Sequence, residues 1–318
     1  MRNRVAILAF HRVLPQADPF RKGDMTAAVF DRLCASLARF FNVMSLGAVG
    51  EAIRTQGRLP DRAVVLTFDD GFADNAEIAA PILARHGLTA SVFVTTGYLD
   101  GGIMFNDAVV EALRTARRDT LDLAALGIDL EGKRSLNRLE ERVQLKGELL
   151  RAFKYRSVEE RLRLAATLGE LLNADPAPSL MMRPAQVKQM ADEGFEIGGH
   201  TVTHPILATL PPGDAAQEIR EGREQLEAII QRPVVSFAYP NGRPNQDYDL
   251  HHVSALEVAG FKQAVTTAYG TARSDDDLLQ LPRLTCWDRR ALTFVPRMLG
   301  HYWRGRRGRQ LPRASAAA

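Results

Sequence analysis

Short apolar runs alternate with amphipathic segments along most of the chain, a pattern typical of a parallel α/β fold. Seven apolar runs predict strands, at residues 5–10, 43–45, 63–68, 90–95, 195–198, 234–238 and 261–266. Apolar residues at helical spacing lie between them, at residues 26–41, 76–86, 184–193, 214–231 and 254–259. We therefore predict an α/β fold, a distorted (β/α) barrel of about seven parallel strands. In such barrels the catalytic residues gather at the C-terminal ends of the strands.

Residues 106–178 interrupt this alternation with charged sequence of helical periodicity. We predict a helical insertion there, after the fourth strand, within a folded domain of residues 1–303 that is followed by a basic tail at 304–318. The insertion could cover the catalytic end as a lid or pack against the outer wall, and the pattern favours neither. Two apolar stripes are expected in its core, one of Leu136, Leu139, Val143, Leu150 and Phe153 and one of Leu164, Leu168, Leu171 and Leu172.

Two adjacent carboxylates, Asp69 and Asp70, follow the predicted strand at residues 63–68 and precede Gly71. Neighbouring residues at a strand end point to opposite sides, so one carboxylate could bind a metal ion while the other contacts a reacting water. In an arbitrary chain, an Asp-Asp-Gly sequence is more often a solvated turn. A second motif changes that expectation.

The second motif places His200 and His204 four residues apart, after a strand-like run and two glycines. If this segment turns tightly, both imidazoles can converge on one cation. One added carboxylate gives a three-ligand site that leaves a position for water, as in many catalytic metal sites. Either motif alone is weak, but together they favour a catalytic metal centre.

At these two motifs the chain resembles the NodB-like polysaccharide deacetylases, carbohydrate esterase family 4. That family has a Thr-Phe-Asp-Asp-Gly run and a His-Ser/Thr-x-x-His run, which residues 67–71 and 200–204 match. The similarity continues in residues 10–13, 237–242 and 281–283, so it covers most of the chain outside the insertion. The fold of the family is the distorted barrel that the periodicity predicts.

The resemblance implies a role for each matching residue. Asp69 would be the general base, the backbone N–H of Tyr239 a donor to the oxyanion, and Asp70, His200 and His204 the metal ligands. The implied reaction is metal-dependent hydrolysis of N-acetyl groups on GlcNAc-type residues of a bacterial exopolysaccharide or cell-surface glycan, with release of acetate. Zinc is the expected divalent ion, with cobalt or nickel as alternatives. The alternative functions are an O-acetyl polysaccharide esterase and a non-catalytic carbohydrate-binding protein.

Two features depart from the pattern of the family. The late motif that often carries the general acid is poorly matched, which leaves His11, at the end of the first strand, His301, or a water or hydroxyl as candidates. The arginine that usually precedes the third motif is missing. We expect Arg283 to supply positive charge in its place and so lower the pKa of Asp69. Trp287 is a candidate wall for stacking against a sugar.

Composition and charge describe an ordinary globular protein of 318 residues, 46% hydrophobic and 25% charged. The formal charge of +3 is local, because the last fifteen residues contain five arginines and no acidic residue. This tail could make peripheral contact with anionic lipids, although a disordered terminus is the more frequent explanation. No aromatic residues lie between its arginines, so we expect no nucleic-acid partner. Neither cysteine belongs to a disulfide or zinc pattern; Cys34 is expected in the core, and the role of Cys286 stays open.

The first apolar stretch, residues 5–10, bears on location. It is shorter than the about 7–15 apolar residues of a signal peptide and the about 20 of a membrane span. We therefore expect a cytoplasmic protein, or one held peripherally at the inner face of the membrane. In this interpretation the stretch is the first strand and delivers His11 to the catalytic end of the barrel.

Overall fold

A computed structural model describes residues 3–285, 291–304, 308 and 310–312. Cys286, Trp287 and most of the basic tail lie outside these residues, so the predictions made for them stay predictions. The chain divides into two compact units. The barrel unit comprises Met1–Ala17, Gly23–Leu99 and Met182–Ala318, and the insertion unit comprises Asp18–Lys22 and Asp100–Met181.

The described residues form short strands and mostly short helices. The strands are β1 (Arg4–Phe10), β2 (Val13–Leu14), β3 (Met25–Thr26), β4 (Asn42–Met44), β5 (Ala63–Phe68), β6 (Ser91–Val94), β7 (Thr120–Asp122), β8 (Lys133–Ser135), β9 (Glu196–Gly199), β10 (Ser236–Ala238), β11 (Gln263–Tyr269), β12 (Ala272–Arg273) and β13 (Leu281–Thr285). The helices are α1 (Ala27–Phe40), α2 (Leu46–Gln56), α3 (Ala80–Arg85), α4 (Phe105–Arg114), α5 (Leu139–Phe153), α6 (Val158–Leu171), α7 (Pro184–Asp192), α8 (Pro212–Ile230), α9 (Leu250–Val258) and α10 (Ala291–Arg304). No helix in this part of the chain is both long and apolar enough to span a membrane.

The barrel unit is built around a closed ring of seven parallel strands in the order β1-β13-β11-β10-β9-β6-β5, which returns to β1. Strands β1 and β5 pair along their whole length, from Val5 opposite Ala63 to Phe10 opposite Phe68. Strand β12 pairs antiparallel with the start of β1. The predicted distorted (β/α) barrel of seven parallel strands is confirmed.

One member of the predicted ring was wrong. The strand expected at residues 43–45 forms as β4, but it pairs only with the first half of β5, along the edge that β6 uses further on. The seventh strand of the ring is β13, which the sequence analysis treated only as a motif. Pro282 and Arg283 interrupt its apolar pattern, because proline cannot donate to a strand ladder and a charged side chain is rarely buried.

Alternation along the strands divides the barrel side chains between two clusters. On β5, Val64, Leu66 and Phe68 join the outer cluster with helix residues such as Phe30, while Ala63 and Val65 join an inner cluster with residues of β1, β6, β11 and β13. Both faces are therefore buried, which explains why this strand is continuously apolar. The same alternation turns Thr67 and then Asp69 towards the inside of the barrel.

The insertion unit has its own apolar core, formed by α4, α5, α6 and the antiparallel pair β7–β8. The expected stripe on α6 is confirmed, since Leu164, Leu168 and Leu172 are buried. The stripe expected on α5 was partly wrong, because Leu139 is 44% exposed and the buried positions are Leu145, Leu149 and Phe153. Asp18–Lys22 also belongs to this unit: Phe20 enters the core, and ion pairs join Arg21 to Asp107 and Arg114 to Asp18.

Candidate active site

The candidate site lies at the C-terminal ends of the barrel strands. Asp69 and Asp70 follow β5, His200 follows β9, and His11 follows β1. Because parallel strands end on the same face of a barrel, residues distant in sequence meet there. The structure thus brings the two predicted motifs together.

Asp70, His200 and His204 form a compact group that could hold a metal ion, with one potential ligand atom from each within 4.8 Å of the others. Asp70 Oδ1 lies 3.4 Å from His200 Nε2 and 3.5 Å from His204 Nε2. Asp70 and His200 are buried, and His204 is partly exposed. One carboxylate with two imidazoles is a common donor set for a divalent transition metal, so these residues fit such an ion.

The orientation of His200 is set by a second hydrogen bond. Its Nδ1 donates to the carbonyl oxygen of Ala238, at the end of β10, over 2.7 Å. A carbonyl can only accept, so Nδ1 carries the proton, and in the neutral ring the lone pair is on Nε2. Nε2 is the atom that faces Asp70. Metal-binding histidines usually have this kind of partner on the far nitrogen.

The backbone at these residues takes uncommon conformations. Asp70, Thr201 and His204 have φ angles of 76°, 67° and 53°. Left-handed backbone costs roughly 1–2 kcal/mol for a residue with a side chain and persists only where the surroundings impose it. The Thr201 hydroxyl accepts the His204 N–H at 3.1 Å, and the carbonyl of Asp70 accepts the N–H of Thr95 at 3.2 Å. The first bond lies within the segment that carries both imidazoles, and the second holds the backbone of Asp70.

The surroundings of Asp70 and His200 favour the charged form of each side chain. Burial alone would raise the pKa of Asp70, but its contact with His200 and the charge of His204 outweigh burial and hold that pKa below the ordinary value. Burial would lower the pKa of His200, but contact with Asp70 and the charge of Asp69 raise it instead. Asp70 is therefore held as a carboxylate, the form that a metal ligand requires.

Arg283 contacts Asp69, as predicted. Its Nη1 donates to Asp69 Oδ1 at 2.8 Å and to Thr67 Oγ1 at 3.1 Å, and its Nε donates to the carbonyl of Thr266 at 2.9 Å. Both side chains of the ion pair are almost fully buried. Burial would raise the pKa of Asp69, but the nearby guanidinium keeps it below the usual value. Asp69 is thus held as a carboxylate beside the candidate metal site.

The other predicted residues have different surroundings. His11 is exposed at the site, and its charge contributes to lowering the pKa of both Asp69 and Asp70, after the larger effects of burial and of their direct partners. His301 lies on α10, with its ring 5.9 Å from that of Tyr269. It is not part of the Asp70, His200 and His204 group.

The backbone N–H of Tyr239, the predicted donor to the oxyanion, has a hydrogen-bond partner in the barrel. Its backbone N–H donates to the carbonyl of Val265 at 3.2 Å, within the β10–β11 ladder. Its side chain is buried, donates to the carbonyl of Leu279 and stacks on Tyr248. One N–H serves one acceptor well, so the ladder competes with an oxyanion for this donor. The oxyanion role of Tyr239 stays a prediction.

Several polar side chains that support the site were not predicted from the sequence. The Asn75 side-chain amide donates to the carbonyl of His11 at 2.8 Å, and Asp74 accepts from Arg12 and from the Val13 N–H. Glu218, on α8, accepts hydrogen bonds from residues between the two histidines. Asp74 and Asn75 lie shortly after the Asp-Asp-Gly motif, which is a weak signal. Glu218 has no sequence signal.

Comparison with known proteins identifies the family. The family model for polysaccharide deacetylases matches residues 56–264. The chain therefore belongs to the polysaccharide deacetylase family, and the resemblance inferred from the motifs is confirmed. Among curated proteins, it is 22% identical over 231 residues to "Putative polysaccharide deacetylase YxkH" of Bacillus subtilis (strain 168), covering 72% of this chain and 54% of YxkH. The chain thus spans about half the length of this relative.

Solved structures share the fold over almost the whole chain. IcaB from Ammonifex degensii has a TM-score of 0.61 at 17% identity, covering 93% of this chain and 97% of IcaB. The Streptococcus pyogenes deacetylase PplD, solved in complex with acetate, has a TM-score of 0.60 at 19% identity, covering 90% of this chain and 93% of PplD. At these identities the similarity establishes a shared fold.

Proposed function

We propose that this protein is a metal-dependent deacetylase that hydrolyses N-acetyl groups of GlcNAc-type residues in a bacterial exopolysaccharide or cell-surface glycan and releases acetate. One observation carries the proposal: a buried carboxylate, held ionised by Arg283, adjoins an Asp, His, His group with the composition of a catalytic metal site. A protein that only bound sugar would have no need for a base in that position. Membership of the polysaccharide deacetylase family supports the same reaction class.

Asp70, His200 and His204 are the proposed ligands, and zinc is the preferred ion. When bound, a divalent ion lowers the pKa of a coordinated water from ~15.7 towards ~7 and polarises an acyl carbonyl. The His200 bond to Ala238 presents Nε2 as the ligand atom. Asp69 directly precedes Asp70 in the chain, so the proposed base would lie beside the same position.

Asp69 is the proposed general base. Its Oδ1 accepts from Arg283, and its other carboxylate oxygen would take the proton of the attacking water as the water adds to the acetyl carbon. The Arg283 charge keeps Asp69 ionised at neutral pH, which a base requires. The same charge makes Asp69 a weaker base than a free carboxylate. Its contribution therefore depends more on position than on proton affinity.

The leaving amine needs a proton, and His11 is the proposed donor. His11 is exposed at the end of β1, on the face where the other groups meet. His301, which lies on α10, instead contacts Tyr269 at the end of β11. Asn75 fixes the backbone of His11 through its carbonyl. We expect His11→Gln to lose turnover and to keep bound metal, since the proposed ligand set does not include His11.

Product analysis tests the proposed function. Metal-stripped protein is reloaded with Zn, Co or Ni and incubated with chitooligosaccharides and, separately, with O-acetylated xylan. Acetate together with free amine from the first substrate supports an N-deacetylase. Acetate from xylan alone would replace the proposal with an O-acetyl esterase. Metal binding with no acetate from either substrate would favour a non-catalytic carbohydrate-binding protein or a different glycan.

A further inference from the structure

The segment that carries both histidines, residues 200–204, is hereafter the histidine loop. Two of its five residues, Thr201 and His204, have left-handed backbone although neither is glycine. Its own hydrogen bonds, described above, do not explain why residues 202 and 203 keep their places. Contacts from outside the loop hold these two residues, and they come from helix α8 and from the segment around Gly97.

The contact from α8 is a single carboxylate that accepts three hydrogen bonds from the loop. Glu218 Oε2 accepts the backbone N–H groups of Val202, at 2.8 Å, and of Thr203, at 2.9 Å. Its Oε1 accepts the Thr203 hydroxyl at 2.6 Å. Hydrogen bonds to an ionised acceptor are roughly twice as strong as neutral ones. Both oxygens of Glu218 are thus used on the middle of the histidine loop.

The same face of α8 approaches the loop closely one turn later. A Cβ atom at Gly222, four residues after Glu218, would lie 3.0 Å from the carbonyl carbon of Thr201. From another segment, the N–H of Gly97 donates to the carbonyl of Val202 at 2.8 Å, and a Cβ atom there would lie 2.7 Å from that oxygen. The two glycines therefore allow the backbone of both elements to touch the loop.

We infer that Glu218, Gly222 and Gly97, hereafter the clamp, position the two histidines by holding the backbone of the loop, so that His200 and His204 face Asp70 before any ion binds. These are positioning residues, since none of them belongs to the Asp70, His200 and His204 group. The inference rests on the proposed metal site. It adds a residue of helix α8, outside both sequence motifs, on which the affinity of that site depends.

The clamp maintains a strained conformation of the histidine loop. Without the Glu218 carboxylate, two backbone donors and one hydroxyl would turn to water, and the loop could relax from its left-handed angles. The histidines would then have to be ordered by the metal ion itself, which reduces its affinity. Loss of a partner that orients metal ligands typically weakens metal binding about 10–100-fold.

The test compares Glu218→Ala, Glu218→Gln and a control, Glu224→Ala, in the full-length chain. Glu224 lies on the same helix and is exposed. Its ion pair with Arg220 is long, at 3.8 Å, so little depends on it. Zn²⁺ affinity is measured by competition with a chelator, far below the unfolding temperature. We expect Glu218→Ala to bind about 10–100-fold more weakly, Glu218→Gln to be intermediate because its amide keeps one acceptor, and Glu224→Ala to match the wild type.

Hydrogen exchange in the metal-free protein gives a second readout that does not depend on any ion. We expect the amides of Val202 and Thr203 to exchange at least about tenfold faster in Glu218→Ala, with exchange in the barrel strands unchanged. If Glu218→Ala does not fold, Gly222→Ala is the substitute, because its single added methyl group presses on Thr201 while leaving the carboxylate in place. Weaker Zn²⁺ binding by Gly222→Ala would support the clamp.

Wild-type affinity and wild-type amide exchange in Glu218→Ala would overturn the inference. So would an equal loss of affinity in Glu224→Ala, which would indicate a general effect of removing charge from the helix. Failure of the proposed function would look different. In that case the wild-type protein would bind Zn²⁺ and show the clamp effect, yet release no acetate from any acetylated glycan.

Discussion

Replacing Arg283 with methionine should strongly destabilise the barrel unit. The guanidinium is almost fully buried, and its three hydrogen bonds go to Asp69, Thr67 and the carbonyl of Thr266. Methionine fills much of the same volume, so the main loss is the positive charge beside a buried carboxylate. Removing one partner of a buried ion pair costs about 3–5 kcal/mol, because the other charge is left unpaired.

The assay is urea unfolding of the metal-free protein at neutral pH, with Arg85→Met as the matched control. Arg85 forms an ion pair of similar length, 2.9 Å, with Asp31, but both side chains are largely exposed. Such surface pairs contribute about 0–1 kcal/mol, so Arg85→Met should change little. The double variant Arg283→Met/Asp69→Asn should recover part of the loss, because no unpaired charge remains.

The pH dependence supplies a further check with a defined sign. Arg283 keeps the pKa of Asp69 below its ordinary value, so the stability from this pair is present above the ordinary carboxyl pKa and is lost as pH falls through the lower, folded value. In Arg283→Met the buried carboxylate would protonate at higher pH, which relieves its penalty. The stability difference between the two proteins should therefore shrink from pH 7 to pH 4. If the free energies of unfolding of the wild type and Arg283→Met differed by less than about 1 kcal/mol at pH 7, Arg283 would not stabilise the buried charge of Asp69 as described.

Three further expectations concern the metal ligands and the two cores. Asp70→Ala should lose Zn²⁺ binding by equilibrium dialysis, because the only carboxylate of the ligand group is gone, and wild-type affinity would contradict the proposed ligand set. In a Cys286→Ser background, Cys34 should resist thiol reagents at pH 8 until the protein unfolds, since burial and the charge of Asp31 raise its pKa to about 12; rapid labelling of the native protein would contradict this. Phe153→Ala should lower the free energy of unfolding by about 3–5 kcal/mol and Leu139→Ala by less than about 0.5, as measured by thermal unfolding, because only Phe153 is buried. Equal effects of the two variants would contradict the assigned core of α5.

Strand prediction succeeded where both faces of a strand are apolar. Strand β5 forms over residues 63–68, as its continuous apolar run predicted. Helix α2 was missed, because Gly47 and Gly50 weaken its helical pattern. In the fold, added Cβ atoms would lie 2.9 Å from the carboxylate of Glu196 at Gly47 and 2.5 Å from the side chain of Gln263 at Gly50. The glycines are there for close packing, which no local pattern reveals.

The candidate site was predictable where chemistry is concentrated in short motifs. Asp69, Asp70 and the two histidines could be found because each set ends a recognisable strand, and parallel strands end on one face. The Arg283 contact was predicted from a missing charge and is present. The hydrogen-bond acceptor of Tyr239 depends on strand register, and Glu218 depends on how α8 packs. Neither could be derived from residue order alone.

Metal-dependent deacetylation with Asp69 as base can be tested by measuring acetate release as metal-stripped protein is titrated with Zn²⁺, in the wild type and in Asp69→Asn. We expect wild-type activity on an N-acetylated glucosamine oligomer to rise with Zn²⁺ and to level off near one ion per chain. Asp69→Asn should bind the same ion and release little or no acetate, because the ligand group is intact and the base is gone. Acetate release that is independent of metal, or an active Asp69→Asn, would contradict the account.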